Sequence, residues 1–241
     1  MRRVSARFVP RLLSDDQKAL RVSVCRELKQ QTRDDPNFIS NIITGHETWV
    51  YGYDPETKQH SSQWKSPNSP LPKKARRVRS NIKIMLIFFF DIQSIVHKEF
   101  VSPGQTVNGK FYCEVLKRLR EGIWRKRWDK WKKNNWFLHH DNAPVHTSLI
   151  FRQFLTSKNI TVIPHPYSPD FAPCKFFLFS KMNLRLNGDR FDTTEEIHAE
   201  TQEVIDTLTF ENFQGCMKSW ETRWDRSIHA QGDYFEGDGG N

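Results

Sequence analysis

The chain of 241 residues is 37% hydrophobic and 13% aromatic, which excludes a disordered protein and permits one sizeable core. Its formal net charge of +9 and pI of about 9.4 favour polyanionic partners, nucleic acid first, with a merely solvated basic surface as the alternative. The four cysteines are scattered with no C-x-x-C pair, which argues against a zinc-binding or disulfide framework. The most apolar run, residues 82–92, is too short to cross a membrane, so we expect a soluble protein without a membrane partner.

The first 37 residues predict a basic arm followed by a helix. Ser14 is of the residue type that caps helix N-termini, and two aspartates follow it in what would be the first turn. Beyond this cap, Leu20, Val24 and Leu28 recur every four residues. Such spacing predicts that these three side chains form the buried face of the helix.

The middle of the chain alternates apolar runs with polar turns, as in a sheet with helical connections. A long proline-containing loop over residues 54–80 separates the first two predicted strands. The next two strands form a hairpin that turns at Gln93–Ser94, and helices occupy most of the last third. The predicted fold class is therefore α/β, a mixed sheet with flanking helices. The predicted strands cover residues 42–53, 82–92, 95–101, 135–141 and 160–165, and the predicted helices between them cover residues 108–127 and 148–157.

Two basic clusters are candidate DNA contacts, because cations near phosphates release condensed counterions. One lies in the loop before the second strand, and the other is the run 117–133, where nine cations interleave with Trp124, Trp128 and Trp131. Tryptophan spacings of four and three predict one helix face, for which core packing is favoured over a base-stacking platform. The predicted DNA-binding residues are Lys73, Lys74, Arg76, Arg77, Arg79, Arg118, Arg125, Lys126 and Arg127.

Two predicted strands carry polar residues of a kind that points to a site. The first contains the dipeptide His46-Glu47, and the fourth ends at Asp141. Strand ends that deliver carboxylates to one point hold paired divalent ions for phosphodiester chemistry, in which one ion activates the nucleophile and the other stabilises the leaving oxygen. Mg²⁺ takes hard oxygen ligands in near-octahedral geometry, so this chemistry requires acidic residues.

Three motifs, "TGHETWVYGYDPETK", "HHDNAPVHTS" and "HPYSPDFAPCKFFLF", resemble in content and order those of the mariner transposases, of the mammalian Hsmar type. The resemblance covers essentially the entire chain. It implies an RNase H-like catalytic domain, a triad of aspartates that binds Mg²⁺ or Mn²⁺, and cut-and-paste DNA transposition. It also implies that residues 1–37 are a linker arm and helix, that residues 38–235 are the catalytic domain, and that its loop 54–80 is a clamp reaching across a homodimer. The last residues, 236–241, are expected to form a flexible tail, as chain ends of small polar residues commonly do.

Compared with the family, two of the three triad positions have lost their acid. The family has TGDETW where this chain has TGHETW, so His46 stands at the first position, and Asp141 of HHDNAP matches the second. The third belongs in APxD, where this chain has Lys175 in APCK. The resemblance thus makes His46, Asp141 and Lys175 the catalytic positions and leaves Asp141 as the acidic metal ligand. Thirty-three residues lie between Asp141 and Lys175, against thirty-four in the family, because HPYSP lacks one proline of HPPYSP.

With His46 neutral, Asp141 charged and Lys175 protonated, the three positions sum to about zero charge, so we expect no productive binding of Mg²⁺ or Mn²⁺. We expect Lys175 to repel a metal ion and to pair with Asp141. Glu47 should point to the opposite face of its strand, and Asp170 should be structural. The alternative is a new site in which His46 and Asp141 bind a softer ion such as Zn²⁺ or Mn²⁺. Structural roles are also expected for His139, His140 and His146.

These expectations describe a degenerate transposase domain in the nucleus, catalytically inactive, that binds DNA without base preference. The family reads its terminal repeats with helix-turn-helix modules, which the 13 residues before Ser14 are too few to hold. The alternatives are a surviving metal-dependent DNA endonuclease and a non-enzymatic, dimeric protein-interaction module. A decayed copy of a mobile element fits the lost acids equally well.

Overall fold

The computed structural model describes residues 9, 12–55, 64–66, 68–70, 73, 78–166 and 169–235. In that part of the chain a five-stranded sheet lies between two groups of helices. The strands are β1 (Ile42–Tyr51), β2 (Lys83–Phe90), β3 (Ile95–Val101), β4 (Phe137–His139) and β5 (Thr161–Val162). The α-helices are α1 (Asp15–Asp34), α2 (Phe38–Asn41), α3 (Gly109–Lys126), α4 (Trp128–Lys133), α5 (Pro144–Thr147), α6 (Leu149–Ser157), α7 (Ser180–Leu186), α8 (Thr194–Asp206) and α9 (Phe210–His229). A 3-10 turn at Pro169–Phe171 and a π-helix at Cys174–Phe179 precede α7.

The sheet is mixed, with the strand order β3-β2-β1-β4-β5. β1, β2 and β3 pair antiparallel, whereas β4 runs parallel to β1 and β5 parallel to β4. The predicted hairpin is confirmed, and Asp91 closes its turn by accepting hydrogen bonds from the backbone N–H groups of Gln93 and Ser94. β4 and β5 are joined through α5 and α6, since parallel strands need a crossover connection.

β2 is buried on both faces, which explains its continuous run of apolar residues. Leu86, Phe88 and Phe90 belong to one hydrophobic core together with residues of α1, α7, α8 and α9. Ile87 and Phe89 belong to a second core together with residues of α3 and α6. Because successive strand residues point to opposite faces, this one strand takes part in two cores, and helices cover the sheet on both sides.

The predicted N-terminal helix is confirmed as α1. Ser14 caps it in a capping box, in which its hydroxyl accepts from the Gln17 N–H and the Gln17 side chain accepts from the Ser14 N–H. The prediction for its buried face was wrong at Leu20, which is 42% exposed, while Val24 and Leu28 are buried as expected. The buried face of α1 consists of Arg21, Val24, Cys25 and Leu28, so Arg21 and not its neighbour Leu20 faces the core.

Arg21 ties α1 to the end of the described chain and to the turn before the π-helix. Its guanidinium donates to both carboxylate oxygens of Asp170, at 3.2 and 3.0 Å, and to the backbone oxygen of Gly232 at 2.7 Å. This ion pair supports the structural role expected for Asp170. Residues of α1 also belong to the same hydrophobic core as residues of β1 and β2. The predicted domain boundary at residue 37 stays a prediction.

The predicted helix 108–127 corresponds to α3 and ends one residue earlier, while the predicted strand 135–141 is shorter in the structure, since β4 pairs only over Phe137–His139. The part of the clamp loop at residues 56–63, 67, 71–72 and 74–77 lies outside the described residues, as do the arm at residues 1–8 and the tail at 236–241. Among the helices that the structure describes, none has both the length and the apolar composition that a membrane span needs.

Candidate metal and nucleic-acid sites

β1 and β4 bring His46 and Asp141 together at the end of their parallel pairing. Ile42 pairs with Phe137 and Thr44 with His139, so two residues further on His46 is level with Asp141. Nδ1 of His46 lies 3.3 Å from Oδ2 of Asp141. His46 is only 6% exposed, whereas a quarter of the Asp141 side chain faces solvent. The two positions named from the sequence therefore form one half-open site.

Glu47 also reaches this site, so the prediction that it points away was wrong. Its Oε2 lies 4.0 Å from Nδ1 of His46, and donor atoms of His46, Glu47 and Asp141 all lie within 4.8 Å of one another. β4 stops pairing with β1 at Thr44 and His139, and beyond this point the long Glu47 side chain reaches His146 and the donor atoms of His46 and Asp141.

His146, at the end of the short helix α5, is a site residue that sequence reasoning assigned to structure alone. Its Nδ1 lies 3.0 Å from Oδ1 of Asp141, and its Nε2 lies 3.3 Å from Oε1 of Glu47. Burial lowers the pKa of His146, but its hydrogen bonds to the two carboxylates outweigh this and raise it to about 9. The signal that could have found it is its position five residues after Asp141, within the same motif.

The two carboxylates are ionised in this arrangement. Burial opposes ionisation of both, yet the hydrogen bond from His146 holds the pKa of Asp141 and that of Glu47 below their ordinary values. His46 is neutral at pH 7, because burial, and next the charge of Lys175, lower its pKa. The site thus combines two anions with one protonated and one neutral imidazole.

His139 and His140 are buried and serve the structure, as expected. Nδ1 of His139 lies 3.0 Å from the Thr44 hydroxyl, and its Nε2 lies 3.0 Å from Nδ1 of His165. His140 contacts the backbone oxygen of Asp141 through Nδ1 at 2.9 Å. Burial lowers the pKa of His140 to about 3, so it stays neutral and packs as an aromatic ring.

Lys175 lies in the π-helix, half-buried, and near enough to His46 for its charge to depress the pKa of that imidazole. The expected ion pair with Asp141 is not formed, and within the described part of the chain Lys175 pairs with no carboxylate. Asp141 is already engaged by His146 and by the Ala143 N–H, which donates to its Oδ1 at 3.0 Å, and Nδ1 of His46 lies near its Oδ2 without a hydrogen bond. The assignment of His46 and Lys175 to lost triad positions stays a prediction.

The predicted DNA contact at Arg127 was wrong, because this residue is buried in an ion-pair network under the β2–β3 turn. Nε and one terminal nitrogen of Arg127 donate to the two carboxylate oxygens of Asp91 at 2.8 and 2.9 Å. Lys130 also pairs with Asp91, whose side chain is fully buried. The chain turns at Arg127 between α3 and α4, which directs this side chain inward although it stands in a basic run.

The other predicted DNA contacts have local partners or lie outside the described residues. Arg118 pairs with Glu99 at 2.8 Å, Arg125 pairs with Glu121 at 3.3 Å, and Lys126 donates to the backbone oxygen of Ile95. Such exposed pairs are weak and can be exchanged for phosphate. In the clamp loop, Lys73 is exposed and Arg79 pairs with Asp54. Not described by the structure are Lys74, Arg76 and Arg77.

Two of the three tryptophans of the basic run are not core residues, contrary to the favoured prediction, whereas Trp131 is partly buried and packs against the second core. Trp124 is 52% and Trp128 54% exposed, because α3 ends at Lys126 and the two indoles stand on different helices. Trp124 and Trp131 instead line a groove of about 540 Å³ between α3 and α4. Arg120 lies over the Trp131 ring, 4.9 Å from its centroid. We call this surface the tryptophan groove; it is lined by Lys117, Arg120, Glu121, Trp124, Trp131 and Lys158.

Comparison with known proteins agrees with the fold and the motifs. The family model described as transposase (partial DDE domain) matches residues 54–133. The Mariner Mos1 transposase of Drosophila mauritiana is 31% identical over 232 residues, which are 95% of this chain and 66% of that protein. The human histone-lysine N-methyltransferase SETMAR is 25% identical over 231 residues, which are 95% of this chain and 33% of that protein. The chain thus spans under two thirds of the length of these relatives.

Solved structures extend the likeness to three dimensions. A pre-cleavage Mos1 transpososome superposes with a TM-score of 0.87 at 30% identity, over 98% of this chain and 68% of that one. The isolated catalytic domain of Mos1 superposes with a TM-score of 0.78 at 28% identity, over 95% of this chain and 100% of that one. Fold and site together define the class, a transposase catalytic domain with an RNase H-like fold. Within that class, the chain belongs to the mariner family.

Members of this family use divalent metal, and Mos1 paired-end complexes have been solved with Mn and with Mg. The residues of this chain do not fit a pair of such ions. Glu47 and Asp141 supply two negative charges, which protonated His146 and Lys175 already balance. The buried nitrogen of His46 is a poor ligand for Mg²⁺, which prefers hard oxygen donors.

Proposed function

We propose that this chain is a mariner transposase domain that binds DNA without reading its bases and no longer performs paired-metal strand cleavage and transfer. A nuclear location is part of the proposal, since chromosomal DNA is the partner. The observation that carries the loss of cleavage is the charge balance between Glu47, Asp141, His146 and Lys175. Two divalent ions would bring four positive charges to a group of side chains whose net charge is about zero.

The tryptophan groove supports the DNA-binding part of the proposal. Three of its six lining residues are cations, and its one acid, Glu121, is paired with Arg125. A DNA strand laid along it would place phosphates against Lys117, Arg120 and Lys158, from which it would release counterions. The half-exposed Trp124 offers a flat apolar face on which an unpaired base can stack.

Base readout is not expected from this surface. Reading a duplex requires side chains that enter a groove and meet base edges, usually from a helix seated in the major groove. The cations of the tryptophan groove are spread over the sides of α3 and over Lys158, where they meet backbone phosphates. We therefore propose that the chain binds DNA in a salt-sensitive, sequence-independent way. We also propose that it forms a homodimer through the arm and the clamp loop.

Cleavage is tested by incubating supercoiled plasmid with the purified chain at millimolar Mg²⁺ or Mn²⁺ and measuring nicked product. The proposal expects no nicking above that of the Asp141→Ala variant. Nicking that depends on metal and disappears in Asp141→Ala contradicts the loss of cleavage and favours a surviving endonuclease.

DNA binding is tested separately, in the presence of a chelator, by fluorescence anisotropy of oligonucleotides of unrelated sequence between 50 and 200 mM salt. Similar affinity for all sequences and a steep fall with salt are expected. Complex formation that does not change with salt would exclude phosphate contacts, and the exposed tryptophans would then favour a protein partner.

A further inference from the structure

Three electron-donating atoms converge on one point at the edge of β1. Nδ1 of His46 lies 3.3 Å from Oδ2 of Asp141 and 4.0 Å from Oε2 of Glu47. One divalent ion bound at ~2.0–2.2 Å from each of its ligands holds them roughly 3–3.5 Å apart. The three side chains therefore need only small rotations to contact a common ion.

The Nδ1 atom of His46 is an unpartnered polar atom aimed into this point. The residue is 94% buried, since its exposure is 6%, and Nδ1 makes no hydrogen bond with the described part of the chain. A buried nitrogen without a partner is unfavourable, and one that faces two carboxylates needs either a proton or a cation between them. This observation is independent of the two acids and also points to a ligand.

His146 orients the two carboxylates so that one oxygen of each is available. It contacts Oδ1 of Asp141 and Oε1 of Glu47, which are the oxygens remote from His46. The oxygens that His46 faces are the other two, Oδ2 and Oε2. An outer residue that contacts metal-binding side chains in this way fixes their direction, so the two free oxygens stay aimed at His46.

We propose that His46, Glu47 and Asp141 bind a single transition-metal ion, of the Co²⁺ or Zn²⁺ kind, through one imidazole nitrogen and two carboxylate oxygens. Imidazole suits these ions, whereas Mg²⁺ favours oxygen ligands alone. In the part of the chain that the structure describes, this donor group contains only two carboxylates, which are too few for a second ion. The inference concerns the same pocket as the loss of cleavage but does not rest on DNA binding.

The test is a titration of the metal-free chain with Co²⁺, followed by visible absorption and by calorimetry. We expect one Co²⁺ per chain, with an absorption spectrum that reports nitrogen and oxygen ligands, and displacement by Zn²⁺ but not by a 100-fold excess of Mg²⁺. The variants His46→Gln, Glu47→Gln and Asp141→Asn should each weaken binding by at least ~10-fold. The matched control is Glu99→Gln, which removes another partly buried carboxylate, one paired with His97 and Arg118.

His146→Gln provides a second test that spares all three ligands. Gln keeps a hydrogen-bond donor but removes the positive charge that contacts both carboxylates, so Co²⁺ binding should be strengthened by ~2–10-fold. Circular dichroism of every variant shows whether it is folded, and the Glu99→Gln control should bind as the unaltered chain does. The inference is overturned if no saturable Co²⁺ binding occurs, if His46→Gln binds equally well, or if two ions bind per chain. DNA binding measured in chelator is unaffected by any of these outcomes, so the two proposals fail separately.

Discussion

Nε2 of His146 lies 3.3 Å from Oε1 of Glu47, a contact that joins α5 to the middle of β1 across 99 residues of chain. The same ring meets Asp141 through Nδ1. One imidazole therefore fixes both acids of the site, although the sequence places it neither on a strand nor at a triad position. Its protonation is the electrostatic feature that most clearly separates this pocket from a three-acid metal site.

The first prediction concerns this contact in the metal-free chain. Glu47→Gln removes one of the two anions that hold the proton on His146, so the pKa of His146 should fall from about 9 by ~1–2 units. The fall is measured by NMR titration of the histidine ring signals. Glu99→Gln removes a carboxylate that contacts His97 and not His146, so it should leave the His146 titration in place. An unchanged titration in Glu47→Gln would contradict the geometry.

The second prediction reverses the charge at Lys175. Lys175→Asp removes a cation and adds an oxygen ligand. If the effective dielectric constant of the pocket is about 20, this change of charge should raise the affinity for Mg²⁺ by at least ~10-fold. Isothermal titration with Mg²⁺ measures the change. Lys218→Asp makes the same change of charge at an exposed position of α9 and should have little effect. An equal gain in both variants would mean that net charge and not the pocket governs binding.

The third prediction concerns the buried carboxylate of Asp91, which pairs with Arg127 and Lys130. Asp91→Asn should lower the free energy of unfolding by about 3–5 kcal/mol, because it leaves buried cations without their partner. Urea unfolding at pH 7 measures the loss. Asp225→Asn removes the half-exposed pair with Lys29 and should cost at most about 1 kcal/mol.

The Asp91 carboxylate also predicts how the stability of the folded chain changes with pH. Burial raises the pKa of Asp91, but the hydrogen bond from Arg127 and the charge of Lys130 outweigh it, and the folded-state pKa lies below the ordinary 3.8. Its stabilising contribution is therefore present above pH 3.8 and is lost as the pH falls through the folded-state pKa. Acid unfolding should begin at higher pH in Arg127→Gln than in the unaltered chain, and coincident acid transitions would contradict this account.

The fourth prediction concerns the tryptophan groove. Trp124→Ala should weaken binding of single-stranded oligonucleotides by about 5- to 100-fold, the equivalent of ~1–3 kcal/mol of stacking, and should affect duplex binding less. Arg120→Ala should weaken both and reduce the salt slope by about one. Trp49→Ala is the matched control, since Trp49 is 43% exposed on β1 and does not line the groove. Equal losses in Trp49→Ala and Trp124→Ala would argue against a specific stacking site.

The pairing of His46 with Asp141 was within reach of the sequence. Both follow apolar runs of strand character, and their motifs identify the family and hence the parallel order of the two strands. The hairpin at Gln93–Ser94 and the capped start of α1 were equally accessible, because turns and caps depend on residues close together in the chain. The sequence also shows two single-residue differences from the family motifs, His46 in TGHETW and Lys175 in APCK, whose place in the triad stays a prediction.

The order of residue types was sufficient to predict the local pattern, namely which segments form strands and helices and which residue types stand at the strand ends. That Glu47 reaches the site follows only from the packing of distant segments, because it depends on where β4 ends and on where His146 lies. The tertiary structure also determines that Arg127 is buried and Trp124 exposed, because the break between α3 and α4 rotates one helix face away from the next. Periodicity describes a residue relative to its own element, whereas burial and ligation depend on which other elements pack against it.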